Sequence, residues 1–82
     1  MKTTLKIVGV NSILEYLRNK SFDGEIVSFP QGSPFPPSMT LIKDGEKEYL
    51  FDVKETQILD KVTLVGILQD GQTTGKAAIE IN

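Results

Sequence analysis

Residues 39–54 read MTLIKDGEKEYLFDVK and contain the clearest structural signal in the chain. Two runs rich in apolar and β-branched side chains flank Asp44-Gly45, a dipeptide typical of tight hairpin turns. This pattern predicts two antiparallel strands, residues 39–43 and 47–54, joined by a short turn.

The alignment of these two strands is predicted from the side chains that it places together. A strict two-residue loop would set Leu41 opposite Glu48, whereas a three-residue loop over residues 44–46 sets Leu41 opposite Tyr49. The longer loop keeps five apolar side chains on one face: Met39, Leu41, Tyr49, Phe51 and Val53. We therefore expect the three-residue loop.

A second hairpin is expected on the C-terminal side. Residues 62–68 carry apolar side chains on both faces, which is typical of a strand covered on both sides, and Gly66 within them suggests a bulge or a close backbone approach. Asp70-Gly71 then predicts a turn into a last strand over residues 77–81, with Glu80 opposite Lys61. We interpret residues 55–60 as a connector.

The N-terminal side predicts a strand, a helix and another strand. Residues 2–10 alternate with period two, so Leu5 and Ile7 share a face. Ser12 and Glu15 have the spacing of a capping box, which predicts a short helix. The helix would bury an apolar stripe of Ile13, Leu14 and Leu17. Residues 21–24 are interpreted as a turn and residues 25–29 as a strand.

These elements predict a single domain over residues 1–82 with an α+β fold. One short N-terminal helix would pack on a mostly antiparallel sheet of five to six strands, or on a partly closed barrel, in the order β-α-β-β-β-β-β.

Composition limits the functions that this chain can perform. Its 82 residues include no His and no Cys, so it lacks the side chain that titrates near neutral pH and the strongest nucleophile. We therefore predict that it is not an enzyme and that it uses no metal and no cofactor. The absence of Cys favours a reducing compartment, and no apolar run approaches the ~20 residues of a membrane span. We expect a cytoplasmic protein without membrane association.

The residues between the second and third predicted strands carry the main functional hypothesis. All four prolines fall between positions 30 and 37, and residues 26–42 contain no charged side chain. Prolines stiffen a loop and lower the entropy that it loses on docking. We predict a protein-binding regulator, inhibitor or adaptor that acts through this loop, with Phe35 as anchor, and through an edge strand. The predicted contact residues are Phe29, Pro30, Pro34, Phe35, Pro36 and Pro37.

Three other interpretations remain open from the sequence. Phe29 and Phe35 could instead cover the core, with the prolines stiffening a crossover. RNA or single-stranded DNA could bind a basic patch at the N-terminal strand and the end of the helix. That patch would consist of Lys2, Lys6, Arg18 and Lys20. Finally, a chain of this length has a thin stability margin, so it could be a structural subunit of a homo-oligomer.

Overall fold

A computed structural model, which describes residues 2–82, shows a closed barrel of six antiparallel strands. Each strand pairs with the next one along the chain, and the first pairs with the last. The strands are β1 (Thr3–Val10), β2 (Ser21–Ser28), β3 (Met39–Asp44), β4 (Lys47–Ile58), β5 (Val62–Asp70) and β6 (Thr73–Ile81). A 3₁₀ helix, Ser12–Leu17, lies between β1 and β2.

The prediction of an α+β fold, with a helix packed on a sheet, is wrong. The pairing of β1 with β6 closes the sheet on itself, so its apolar faces cover one another inside the barrel and need no helix. Among residues 2–82 there is no helix of seven or more residues.

The core occupies the interior of the barrel. Alternate residues of the strands point inward, and Leu14 and Leu17 of the 3₁₀ helix join them from one end. The buried cluster comprises Leu5, Ile7, Leu14, Leu17, Ile42, Tyr49, Phe51, Leu68, Ala77 and Ile79. The predicted inward positions of Leu5 and Ile7 are confirmed.

The helical segment differs from its prediction in type and in capping. Asn11 occupies the N-cap position without a side-chain hydrogen bond, so the capping box of Ser12 and Glu15 does not form. The backbone is not helical at Leu14, where φ is −108° and ψ is 19°, so the segment is two short turns joined by a kink. Leu14 and Leu17 are both buried in the barrel interior. Ile13 of the predicted stripe is exposed.

The predicted alignment of β3 and β4 is wrong. Asp44 pairs with Lys47 and Ile42 with Tyr49, so the turn consists of Gly45 and Glu46 alone. Gly45 has a φ of 62°, as the first central residue of a type II′ turn requires, and this is a conformation that glycine adopts at no steric cost. Ile42 therefore faces the core in place of Leu41.

The β5–β6 hairpin is shifted in the same way. Gly71, with a φ of 62°, is the first residue of its two-residue turn. Thr63 rather than Lys61 pairs with Glu80. Lys61 still reaches that carboxylate diagonally, with its Nζ 3.0 Å from Oε1 of Glu80.

Two predicted irregular segments are strands. Residues 21–24 begin β2 instead of forming a turn, and residues 55–58 continue β4 instead of connecting it to β5. The close approach predicted at Gly66 is confirmed. A Cβ atom there would collide with the carbonyl oxygen of Asp52, where the β4–β5 register shifts.

The two ends of the barrel are built differently. The end that we call the helix end carries the 3₁₀ helix and the two glycine turns. The opposite end, the proline end, carries residues 29–38, which connect β2 to β3 and which we call the proline loop. The last five residues of β4 also project there. No helix among residues 2–82 has the length and apolar character to cross a membrane.

Candidate functional site

The proline loop is shaped by two consecutive turns. The amide of Ser33 donates to the carbonyl of Pro30 at 3.1 Å, and the amide of Met39 donates to the carbonyl of Pro36 at 2.9 Å. Gly32, at the third position of the first turn, has a φ of 90°, as a type II turn requires there. These bonds, together with the fixed φ angles of the prolines, give the loop a defined conformation.

The loop is also fastened to β4. The amide of Val53 donates to the carbonyl of Ser38 at 3.0 Å, and the hydroxyl of Ser38 donates to Oδ1 of Asp52 at 2.6 Å. Nζ of Lys54 lies 2.8 Å from Oδ2 of the same carboxylate. The Lys54 ammonium, and secondly the Ser38 hydroxyl, hold the pKa of Asp52 below its usual value.

Phe29 and Phe35 form a stacked pair on this loop. Their ring centroids lie 4.4 Å apart with an interplanar angle of 24°. Neither ring belongs to the buried cluster inside the barrel, and the Phe35 side chain is 39% exposed. The two rings therefore cover each other rather than the core, unlike the alternative in which they close the barrel.

A groove of about 400 Å³ lies between the aromatic pair and the turns. It is lined by residues 29–33 and 35–37, together with Met39. The structure thus brings five of the six predicted contact residues to one groove and leaves out Pro34. Sequence reasoning missed Met39 as a groove residue because its alternation pattern assigned it to the core.

The groove is uncharged, and its lining is more apolar than polar. Its prolines contribute carbonyl groups but no amide donors. The carbonyls of Pro30 and Pro36 accept the turn hydrogen bonds, whereas among residues 2–82 no hydrogen bond reaches the carbonyl of Pro37. Such a surface suits an apolar group that carries its own hydrogen-bond donor.

The four predicted basic residues do not form one patch. Arg18 donates to both carboxylate oxygens of Glu15, at 2.7 and 2.9 Å, and Nζ of Lys20 lies 3.1 Å from Asp44 at the helix end. Lys2 precedes β1 at the proline end. Lys6 sits on the outer face of β1, in register with Glu80 of β6. Arg18 and Lys20 therefore lie at the helix end and Lys2 at the proline end, while Lys6 lies on the side of the barrel between them.

A polar network joins the 3₁₀ helix to the strands at the helix end. The hydroxyl of Tyr16 donates to Oδ2 of Asp70 at 2.6 Å, and Nζ of Lys47 lies 3.2 Å from the same oxygen. The bond to Asp70 raises the pKa of Tyr16 to about 12. The same bond, and secondly the nearby Lys47 ammonium, lower the pKa of Asp70. Each group in this network already has a partner within the chain, which fits a fastening role.

The candidate site is identified from its geometry alone. The uncharged groove of the proline loop is the feature that most resembles a binding site, because it is concave, preformed and separate from the core. No protein-family model, no curated protein and no solved structure matches this chain significantly.

Proposed function

We propose that this chain is a non-catalytic binding protein, a small regulator, inhibitor or adaptor, that holds another protein through the groove of its proline loop. The observation that supports the proposal is the stacked pair of Phe29 and Phe35. These rings lie outside the core, half-exposed, in a loop held by its own turns. Large apolar side chains that do not stabilise the interior are typical anchors of protein interfaces.

The size and stiffness of the groove favour one kind of contact. A volume of about 400 Å³ is at the lower end of the range for ligand sites, which suits one or two large side chains of a partner. Because the turns and prolines fix the loop beforehand, binding costs little conformational entropy on this side of the interface. Aromatic residues with a donor group, Tyr or Trp, would match both the apolar walls and the free carbonyl of Pro37.

We place this binding in the cytoplasm. The chain contains no Cys, so its stability depends on no disulfide, and a reducing compartment suits it.

The test is a selection of binding peptides followed by a comparison of two variants. Twelve-residue peptides would be selected from a random displayed library on the wild-type protein and labelled for fluorescence anisotropy. Phe35→Ala should raise the Kd at least 10-fold, as expected for removal of an aromatic anchor. Ile13→Ala is the matched control, because Ile13 is an exposed apolar residue, 55% accessible, at the opposite end of the barrel. It should leave the Kd unchanged.

Two outcomes would contradict the proposal. The first is a Kd that is equally affected by both variants, which would locate the binding surface elsewhere. The second is that no peptide is selected above background in repeated rounds. Circular dichroism of each variant would confirm that the barrel is intact before its Kd is interpreted.

A further inference from the structure

The barrel is closed, yet β4 has one side without a neighbour near its end. The pairing of β3 with β4 ends at Met39 and Asp52, followed by one bond from the amide of Val53 to Ser38. Lys54 is the extra residue at the β4–β5 register shift, and residues 55–58 then pair only with β5. On the side where β3 would continue, their backbone groups have no partner among residues 2–82.

The prolines explain why β3 ends where it does. A strand preceding Met39 would have to donate amide hydrogens to β4, but Pro36 and Pro37 have none. The chain turns away at this point and forms the wall of the groove. The free side of residues 54–58, which we call the β4 edge, therefore begins directly beside the proline loop.

The most exposed large apolar side chains of the described residues lie at the end of the β4 edge and directly after it. Ile58 is 73% exposed and Leu59, at the tip of the hairpin, is 88% exposed. Ile58 shares a face with Val62, its partner in β5, and with Leu64, which packs against the core. The apolar inner surface of the barrel thus continues past its rim onto this projecting hairpin.

We propose that the β4 edge binds an extended segment of the partner protein as an added strand, next to the groove of the proline loop. This inference rests on the proposed function and specifies how the partner is held. Backbone hydrogen bonds to β4 would align the segment, alternate side chains would cover Ile58 and its neighbours, and a side chain at one end would enter the groove. Strand addition of this kind gains affinity from the main chain and specificity from the pockets beside it.

The charges at the β4 edge define the segment further. Lys54 is paired with Asp52 and Lys61 with Glu80, at 2.8 and 3.0 Å. Among residues 2–82, no cation pairs with the remaining carboxylates, those of Glu55 and Asp60. The complementary segment is therefore apolar, extended and basic, with at least one Lys or Arg.

A second copy of this chain fits the β4 edge less well. The antiparallel alignment that uses all five residues is centred on Thr56, and it sets Asp60 of each copy against Asp52 of the other. If the centre of this alignment moves from Thr56 to Glu55, the Glu55 side chains of the two copies lie opposite each other. If the centre moves to Gln57 instead, only residues 56–58 of β4 remain paired between the copies. Like charges directly opposite destabilise a pair of strands, so we assign the edge to a different protein.

The experiment uses the selected twelve-residue peptides with single backbone N-methyl groups. Each N-methyl group removes one amide donor, and in an added strand only every second amide faces its neighbour. Binding to the wild-type protein should therefore fall at least 10-fold for alternate positions and change little for the positions between them. In parallel, the amides of residues 54–58 should exchange hydrogen more slowly when peptide is bound.

A charge test accompanies the scan. The double substitution Glu55→Gln and Asp60→Asn should weaken the binding of Lys- or Arg-containing peptides several-fold at low salt. Glu46→Gln, in the turn at the helix end, is the matched control and should have no effect. Equal effects of both substitutions would indicate a response to net charge alone and would overturn the assignment of a basic segment.

The outcomes separate this inference from the function on which it rests. If Phe35→Ala abolishes binding but N-methylation has no alternating effect, strand addition is overturned and the groove remains the binding site. If the alternation is present but Phe35→Ala has no effect, the groove is overturned and the β4 edge stands. A wild-type dimer in sedimentation experiments that dissociates on Thr56→Pro would show that a second copy occupies the edge, against the inference.

Discussion

The phenylalanines of this chain have different roles although their side chains are identical. Phe51 is fully buried inside the barrel, and Phe22 packs against the buried cluster. Phe29 and Phe35 contact each other outside it. A buried ring contributes its whole area to stability, whereas an exposed pair contributes mainly the contact between its two rings.

Substitution of these rings should separate stability from binding. Phe51→Ala should lower the free energy of unfolding by about 3–5 kcal/mol, because it leaves a cavity in the core. Phe35→Ala should lower it by about 1 kcal/mol, the value of a lost aromatic contact. Urea unfolding followed by circular dichroism measures both. Equal losses would mean that Phe35 belongs to the core and would remove the main support for the groove as a binding site.

The hydrogen bond between Tyr16 and Asp70 should make stability depend on pH at both extremes. The pKa of Asp70 is lowered in the folded state, so the contribution of the bond is complete above the unfolded value of about 4 and is lost as the pH falls through the folded pKa. The pKa of Tyr16 is raised to about 12, so the contribution is complete below about 10 and is lost as the pH rises to 12.

The measurement is the difference in unfolding free energy between wild type and Tyr16→Phe across the pH range. It should be constant between about pH 4 and pH 10 and shrink on both sides. Asp70→Asn should return the pKa of Tyr16 towards 10, as seen in the ¹³C chemical shift of its ring. A difference that does not vary with pH would show that the bond is absent in solution.

Among the strands and turns, the glycines determine details that side-chain patterning does not. Gly45 and Gly71 place the two tight turns one residue later than the Asp-Gly pairs suggest, because a positive φ is required at the first central position. Gly66 permits the carbonyl of Asp52 to approach β5 at the register shift. Gly9, by contrast, has room for a methyl group beside Ala78.

Alanine at these two strand glycines should have opposite effects. Gly66→Ala should lower the free energy of unfolding by about 1–3 kcal/mol, since the new methyl group meets the backbone of β4. Gly9→Ala should be neutral or stabilise by up to about 1 kcal/mol, because it restricts the unfolded chain without a clash. Thermal unfolding of both variants is the test, and a Gly66→Ala protein as stable as wild type would contradict the close approach.

Local signals in the sequence predicted part of this arrangement. The alternation of Leu5 and Ile7, the presence of both hairpins and the close approach at Gly66 follow from period two and from glycine placement. The alignment of each hairpin did not follow, since Leu41 and Ile42 are both apolar and either could face inward. The prediction of a connector over residues 55–60 is wrong for residues 55–58, which have few apolar side chains but extend β4 and lie exposed at the rim.

The class of the fold and the shape of the site depend on contacts between distant residues. Pairing of β1 with β6 determines whether the sheet packs on a helix or closes, and no local pattern reports it. The proline loop was identified from its composition. The stacking of Phe35 on Phe29 and the inclusion of Met39 in the groove were not, because they depend on how the turns fold back.

In the barrel as a whole, side-chain contacts hold both ends, and the proline end also carries the unpaired backbone groups of the β4 edge. At the helix end, the hydrogen bond from Tyr16 to Asp70 connects the 3₁₀ helix to the last residue of β5. At the proline end, the groove and the β4 edge lie side by side. The proposed binding surface therefore lies on the opposite side of the core from the 3₁₀ helix.

Hydrogen exchange of the free protein should report this asymmetry. Amides of β5 and β6, which pair along their length with each other, should exchange slowly. Those amides of residues 54–58 that face away from β5 should exchange at rates close to those of an unstructured peptide. Two-dimensional NMR after transfer to D₂O resolves both sets. Uniform protection across β4 would mean that the edge is already covered in the free protein.

The closure of the barrel has a further consequence for how the chain folds. Five of the six strand pairings join neighbours in sequence and can form early, but the β1–β6 pairing must wait for both ends of the sequence to meet. Until then, β1 and β6 each present a bare edge that a second molecule could accept in place of the native partner. Refolding at increasing protein concentration should therefore yield strand-exchanged dimers, which size-exclusion chromatography would separate from the monomer, whereas dilute refolding should yield only the closed form.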